Sequence, residues 1–259
     1  MTKLAANLTM MFNEVEFLDR FAAAAGAGFK GVEYLFPYPY PKEQLAQKLV
    51  AHNLAQVLHN FPAGDWAKGE RGIACQPERV GEFQDSVGKA IEYATALGCT
   101  QLNCLAGIPP AGADREKVRA TLVSNLRFAA DKLGAAGIKV LTEPINTFDI
   151  PGFFLSGTRQ ALEILRDVGS TNLYLLYDIY HMQRMEGELA NTIKANLPRI
   201  AHFQLADNPG RNEPGTGEIN YRFLFGFLDS IGYGGWIGCE YRPKGNTVDG
   251  LGWRAAHGV

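Results

Sequence analysis

The sequence has little of what marks a membrane protein, a nucleic-acid-binding protein or a disulfide-linked protein. Its 259 residues include only four cysteines, none in a C-x-x-C pair, so a structural zinc site has little support. No apolar run approaches the roughly 20 residues that a membrane span needs, and the N-terminal MTKLAANLTMMF is too polar for a signal peptide. With 25 basic against 27 acidic residues, the chain has no positive surplus to neutralise phosphates. These absences predict a reduced, cytoplasmic protein with neither a membrane nor a nucleic acid as partner.

The remaining composition is that of a globular protein with a large core. Hydrophobic residues make up 46% of the chain and charged residues 20%, close to the average for a globular domain. No Pro/Ser-rich linker and no shift in composition divides the sequence. We therefore expect one domain over residues 1–259, which is close to the roughly 250 residues of a typical (β/α)8 barrel.

Short apolar runs rich in β-forming residues recur along the whole chain. Their mean spacing is about 33 residues, which is the length of a strand followed by a helix with its two loops. The runs are continuous rather than alternating, as in strands that are buried on both faces of a parallel sheet. The eight runs begin at Leu4, Gly31, Ala55, Gln101, Lys139, Leu173, Ile200 and Trp236.

The segments between these runs have the pattern of helices. Asn13 and Glu16 have the spacing of a capping box, and Pro41 stands where a proline opens a helix at no cost. Strict alternation predicts an α/β fold, the (β/α)8 TIM barrel. A doubly wound open sheet is the alternative. Such a fold usually has a Gly-rich loop after the first strand, but the sequence there, NLTM, contains no glycine. Further helices are expected at 77–97, 114–134, 157–168, 187–197 and 221–231.

Four consecutive runs, the fifth to the eighth, end in an oxygen-bearing side chain: Glu143, Asp178, Gln204 and Glu240. In a barrel the C-terminal strand ends meet at the catalytic face. One such residue alone is more often a helix cap or an ion-pair partner, but four in series are harder to explain in that way. Three carboxylates brought together repel one another, and a bound cation removes that conflict. An all-oxygen set favours Mg²⁺ or Mn²⁺.

Other polar residues are placed near the same rim. His181 follows Asp178 by three residues, and His202 lies one layer deeper in its strand, where a hydrogen-bonded core histidine is an equally good interpretation. Arg211, Arg71 and Lys244 are the candidates for holding an anionic substrate group, in that order. An arginine fork can grip a carboxylate with two hydrogen bonds, although an exposed loop arginine is by default only solvated.

Several longer stretches resemble a known family. TEPINTFDIPGFFL, YDIYHMQ, HFQLADNPGRNEPGTGEINY and GWIGCEYRPKG are similar to the hydroxypyruvate isomerase family. This is a branch of the xylose-isomerase-like barrels, which also include the tagatose 3-epimerase type of sugar epimerase. The N-terminal AANLTMMF and the stretch PAGDWAKGERG extend the similarity over essentially the whole chain.

The resemblance implies roles for the residues at the strand ends. Glu143 would bind the metal and act as an acid/base, Asp178 would be a ligand, and His181 would touch a substrate oxygen. Glu240 would be a ligand and the second acid/base, and Arg211 would be the loop arginine of the family. Which glutamate abstracts the proton stays open.

The chain also departs from the epimerase pattern. The ligand on the seventh strand is usually a histidine in the sugar epimerases, whereas here it is Gln204, as in the hydroxypyruvate isomerase branch. A substrate-binding glutamate of the epimerases is replaced by the shorter Asp149. Both changes argue against a ketose epimerase.

The resulting hypothesis is an isomerase that interconverts hydroxypyruvate and 2-hydroxy-3-oxopropanoate by proton transfer through an ene-diolate. A 2-oxo-tetronate isomerase would share the same motifs and is the close alternative. A DNA-repair endonuclease on this barrel would need several zinc-binding histidines and a basic groove, whereas the chain has five histidines and a net charge of −2. A non-catalytic binding module would be expected to have lost one of the acidic residues, and none is missing. A homo-oligomer stays open, since the C-terminal GLGWRAAHGV is apolar enough to pack against the barrel or a second subunit.

Overall fold

Eight parallel strands close into a barrel in the order in which they occur along the chain. The computed structural model describes residues 2–259. β1 pairs with both β2 and β8, so the sheet has no free edge. This confirms the TIM barrel and rules out the open doubly wound sheet. The strands are β1 Lys3–Asn7, β2 Gly31–Glu33, β3 Ala55–Asn60, β4 Gln101–Cys104, β5 Lys139–Thr142, β6 Leu173–Asp178, β7 Ile200–Leu205 and β8 Trp236–Cys239.

Helices connect the strands and cover the outside of the barrel. Those predicted at 114–134, 157–168 and 221–231 lie within one residue of the observed bounds at either end. The helices are α1 Arg20–Gly26, α2 Lys42–Ala51, α3 Val80–Leu97, α4 Arg115–Ala135, α5 Thr158–Val168, α6 Ile179–Met185, α7 Leu189–Asn196, α8 Tyr221–Ser230, α9 Thr247–Gly250 and α10 Trp253–His257.

Helix α3 shows how the sequence pattern produces this arrangement. Its buried apolar residues recur every three or four positions, so they form one stripe that faces the barrel. The helix ends at Gly98, whose φ of 64° lies in the left-handed region that glycine adopts without strain. The stripe consists of Phe83, Val87, Ala90, Ala94 and Leu97.

The predicted capping box at Asn13 and Glu16 is wrong. Helix α1 begins only at Arg20, after a single 3₁₀ turn over Phe17–Asp19. The segment before it is instead held by Thr247 near the other end of the chain, whose Oγ1 accepts a 2.8 Å hydrogen bond from the Phe12 N–H. Asn13 itself donates from Nδ2 to the Met10 carbonyl at 2.7 Å, so its side chain does not cap a helix.

The C-terminal segment packs against its own barrel. The Trp253 ring lies 6.1 Å from the ring of Phe225 on α8 and 6.3 Å from that of Tyr241, centroid to centroid. The Trp253 Nε1–H also donates to the Tyr241 hydroxyl at 3.2 Å. The apolar character of this segment is therefore satisfied within the chain, and a homo-oligomer stays a prediction. Within residues 2–259 we find no helix with the length and apolar character needed to cross a bilayer.

Candidate active site

Glu143, Asp178, His181 and Glu240 converge at the C-terminal ends of the strands, and all four are buried. One nitrogen or oxygen from each lies within 4.8 Å of the others. Gln204 is brought beside them by the sheet, since it pairs in register with Asp178 across β6 and β7 and with Gly238 on β8. The sequence-predicted strand-end residues thus lie on adjacent strands at one end of the barrel.

Burial, together with the closeness of the three carboxylates, raises the pKa of each of them. Burial, Glu240 and Asp178 together raise the pKa of Glu143 well above its ordinary value. Burial raises the pKa of Glu240 to about 8, although the guanidinium of Arg211 opposes this. Arg211 Nη2 donates to Glu240 Oε2 at 2.9 Å and lies 4.0 Å from Asp178 Oδ2. A single guanidinium cannot neutralise three carboxylates, so the site favours further positive charge.

Two buried oxygens of the four strand-end residues have no hydrogen-bond partner among the described residues: Asp178 Oδ2 and Gln204 Oε1. Buried polar atoms are normally paired, so these two point to a ligand. The other Asp178 oxygen is occupied, because it accepts from the backbone N–H groups of Tyr180 (2.7 Å) and His181 (3.2 Å). Three carboxylates and one amide oxygen match a hard divalent cation such as Mg²⁺ or Mn²⁺. The residues therefore fit such a cation.

Glu33 at the end of β2 was missed by the sequence analysis, yet it organises this site from below. It is 1% exposed, and its Oε1 accepts from Asn7 Nδ2 at 3.0 Å and Gln204 Nε2 at 2.8 Å. Its Oε2 lies 2.7 Å from His202 Nε2. Since a carboxylate only accepts, Glu33 holds the amide nitrogen of Gln204 and leaves its oxygen for the site. Glu33 lies in the middle of the apolar run GVEYLF and not at its end, so the criterion used for the later strands did not find it.

The glycine at position 238 makes room for this carboxylate. A Cβ there would lie 2.2–2.4 Å from three atoms of the Glu33 carboxyl group, which no side chain tolerates. His202 is fully buried and bonded to Glu33, as expected for a core histidine one layer below the rim.

Glu143 is oriented by a residue of the neighbouring strand. Asn103 on β4 donates from Nδ2 to Glu143 Oε2 at 2.8 Å and lies 3.1 Å from Asn60 Oδ1. The hydrogen bond holds one oxygen of Glu143 and leaves Oε1 on the side of His181, 3.7 Å from its Nε2. Asn103 was also missed, although it interrupts the apolar run QLNCLAG.

His181 lies at the edge of the carboxylate cluster, on the first turn of α6. Its Nε2 is 3.7 Å from Glu143 Oε1 and 3.6 Å from Asp178 Oδ2. Burial and the nearby charge of Arg211 lower the pKa of His181 well below its ordinary value. The ring is therefore neutral at physiological pH, and one of its nitrogens is a donor.

The cleft above these residues has a volume of about 530 Å³ and is lined by Arg71, Arg211 and Arg242 among others. Arg71 Nη1 donates to the backbone oxygens of Trp66 (3.0 Å) and Glu70 (2.8 Å). Its guanidinium lies 4.1 Å from the centroid of the Trp66 ring. Among residues 2–259 we find no carboxylate partner for Arg71.

The other predicted cations are less available. Arg211 is engaged with Glu240, whereas Lys244 is exposed and does not line the cleft. Arg242, which does line it, was not singled out from the sequence. Asp149, where the epimerases have a glutamate, accepts a 2.6 Å hydrogen bond from Arg184 Nη1 and is thus already paired.

The family model of the xylose isomerase-like TIM barrel matches residues 21–257. The chain belongs to this family. It is 56% identical over 253 residues to a hydroxypyruvate isomerase of Escherichia coli, covering 98% of both chains. It is 49% identical to a 2-oxo-tetronate isomerase of Cupriavidus necator, covering 98% of this chain and 97% of that one. With relatives this similar, the chain is an isomerase.

Solved structures agree with this fold. A Brucella melitensis protein described as an AP endonuclease of family 2 is 48% identical and superposes with a TM-score of 0.97 over 99% of both chains. A D-allulose 3-epimerase from Methylomonas covers 99% of this chain and is itself covered to 90%, with a TM-score of 0.75. At 23% identity the epimerase shows the shared barrel alone.

Proposed function

We propose that this isomerase interconverts hydroxypyruvate and 2-hydroxy-3-oxopropanoate, and that Glu143, Asp178, Gln204 and Glu240 hold the divalent cation it needs. The observation that carries the proposal is the buried group of three carboxylates with Gln204 beside them, in which Asp178 Oδ2 and Gln204 Oε1 have no partner among the described residues. The relative from Escherichia coli, a hydroxypyruvate isomerase at 56% identity, supports the substrate.

The reaction moves one proton between adjacent carbons and one between the two oxygens. A Mg²⁺ or Mn²⁺ ion held by the four residues would supply Lewis-acid stabilisation of the charge that develops on those oxygens. One glutamate takes the proton from C3 and returns it at C2, while the hydroxyl proton passes from O3 to O2. Glu143 is the better candidate for the carbon proton because Asn103 holds its Oε2 and leaves Oε1 free. Glu240, bonded to Arg211, is then placed to move the hydroxyl proton.

Arg71 is the cation we assign to the substrate carboxylate. Its side chain is held by two backbone oxygens and by the Trp66 ring, so the guanidinium is fixed before substrate arrives. Pre-organisation of this kind lowers the entropy cost of binding. Arg211, the first choice from the sequence, faces Glu240 and Asp178 instead and is better placed to balance the charge of the cluster.

A four-carbon substrate is the second candidate, because the 2-oxo-tetronate isomerase of Cupriavidus necator is 49% identical. An endonuclease is not favoured, since the cluster contains three carboxylates and a single histidine and the net charge is −2.

The test is a metal-depleted assay restored with Mg²⁺, Mn²⁺ or Zn²⁺, run side by side on hydroxypyruvate and 2-oxo-tetronate. The proposal expects loss of turnover on depletion, recovery with Mg²⁺ or Mn²⁺, and the higher kcat/KM for hydroxypyruvate. Full activity after depletion would overturn the role of the cation, and a higher kcat/KM for 2-oxo-tetronate would replace the substrate.

A further inference from the structure

Asn146, in the loop after β5, has its amide orientation fixed by the backbone. Its Oδ1 accepts hydrogen bonds from the N–H groups of Phe148 (3.1 Å) and Asp149 (2.8 Å). An N–H group needs an acceptor, so the amide cannot be turned around: the oxygen must face the loop and Nδ2 must face away from it.

Both hydrogens of Asn146 Nδ2 then have acceptors. One points to Asp149 Oδ2 at 3.2 Å, and the other to His181 Nδ1 at 2.6 Å. Because an amide NH₂ only donates, His181 Nδ1 must present a lone pair to it. In a neutral imidazole whose Nδ1 is an acceptor, the ring hydrogen is on Nε2.

We infer that Asn146 is a positioning residue that holds His181 in the Nε2–H tautomer, so that His181 donates a hydrogen bond in the site and does not ligate the metal. The Nε2 atom is the one that faces the cluster, 3.7 Å from Glu143 Oε1 and 3.6 Å from Asp178 Oδ2. A metal ligand needs a lone pair at that atom, and Asn146 puts a hydrogen there instead. By distance alone His181 could be a metal ligand together with the three carboxylates. Its tautomer shows that it cannot be one, because its Nε2 carries a hydrogen.

The choice of tautomer has two consequences. The ligand set loses its one nitrogen, which disfavours Zn²⁺ relative to Mg²⁺ and Mn²⁺. The Nε2–H becomes a fixed, buried donor for a substrate oxygen on which charge develops, and this second consequence rests on the proposed function. Removing one such donor typically lowers kcat by about 10²–10³-fold.

The experiment records two-bond ¹H–¹⁵N correlations of the histidine rings in metal-free, full-length protein with ¹⁵N-labelled histidine. We expect His181 with hydrogen on Nε2 in the native chain. Asn146→Asp keeps an oxygen for the two loop N–H groups but replaces the donating amide by a second acceptor. We therefore expect the His181 hydrogen to move to Nδ1 in this variant. The inference would be overturned if native His181 carries its hydrogen on Nδ1, or if the hydrogen stays on Nε2 in Asn146→Asp.

His59 and His202 are internal controls in the same spectra. Both are buried, His59 Nδ1 lies 3.0 Å from the Asn60 carbonyl and His202 Nε2 lies 2.7 Å from Glu33 Oε2, so their patterns should stay unchanged. If Asn146→Asp does not fold, Asn146→Ala removes the donor and should give a mixture of both tautomers; a pure Nε2–H form there would equally overturn the inference. Calorimetric titrations should show Zn²⁺ affinity rising relative to Mn²⁺ in Asn146→Asp.

The tautomer and the proposed reaction fail separately. If His181 is in the Nε2–H form but neither hydroxypyruvate nor 2-oxo-tetronate is turned over, the proposed function is wrong and the role of Asn146 stands. If the native chain turns over hydroxypyruvate with His181 in the Nδ1–H form, the role of Asn146 is wrong and the proposed function stands.

Discussion

Removing the carboxylate of Glu33 should weaken metal binding although Glu33 is not itself a ligand. In Glu33→Ala the Gln204 amide loses the acceptor that holds its nitrogen, so it can rotate and present N–H to the cation. Loss of a group that orients a metal ligand typically costs about 10–100-fold in affinity. The dissociation constant for Mn²⁺, measured by calorimetry on metal-depleted protein, should rise by this factor.

The same substitution should also lower stability. Three buried donors lose their acceptor at once: Asn7 Nδ2, Gln204 Nε2 and His202 Nε2. Each buried donor left without its acceptor costs about 1–3 kcal/mol, a large part of the roughly 5–15 kcal/mol of a typical domain. Urea unfolding should show a loss of this size.

A second variant separates orientation from charge. Glu33→Gln keeps one oxygen for Asn7 and Gln204, while its amide faces His202, whose Nδ1 has no partner and can take the proton instead. Its Mn²⁺ affinity should stay within about tenfold of the native value. Asn125→Ala, which removes a buried donor to the Ala74 carbonyl on the outer layer, is the matched control. A folded Glu33→Ala protein that binds Mn²⁺ as tightly as the native chain would refute the reasoning.

Three further predictions concern the reaction and its pH dependence. Glu143→Gln and Glu240→Gln should each lower kcat by at least about 10²–10⁴-fold with circular dichroism unchanged; near-native turnover in both would remove the proposed chemistry. Arg71→Ala should raise the KM for hydroxypyruvate by about 10–100-fold, which is the contribution of a charged hydrogen bond. Lys244→Ala, which removes a positive charge outside the cleft, should leave the KM unchanged. A larger effect of Lys244→Ala than of Arg71→Ala would mean that Arg71 does not bind the substrate carboxylate. Burial raises the pKa of Glu240 to about 8 in the metal-free protein, whereas its ordinary value in the unfolded chain is 4.5. The melting temperature should therefore fall as the pH rises between these two values. Bound Mn²⁺ should make this fall smaller, and an equal fall with the ion would contradict metal binding by Glu240.

The strands and the carboxylates at their ends were predictable from the sequence because both are local signals. A continuous apolar run marks a strand buried on both faces, and a carboxylate directly after it marks the catalytic rim of a barrel. All eight strands start within one residue of their predicted positions, and Glu143, Asp178 and Glu240 do come together.

The residues that orient these strand-end side chains could not be assigned in the same way. Glu33 acts through Gln204, which is 171 positions away, and Asn103 acts through Glu143, 40 positions away. Their roles depend on which strands become neighbours and on atoms that meet across the barrel. The orientation of Asn146 requires even finer information, namely the two loop N–H groups that its oxygen accepts.

The double use of Asp178 explains why the strand-six residue is an aspartate and not a glutamate. Helix α6 begins at the very next residue, and one Asp178 oxygen caps it while the other faces the ligand cluster. Glu143 and Glu240 are followed by loops, so their longer side chains have no helix to cap. One added methylene at position 178 would carry the carboxylate past either the first helical N–H groups or the cluster. The start of α6, and with it the position of His181, therefore depends on the same carboxyl group whose other oxygen faces the cluster.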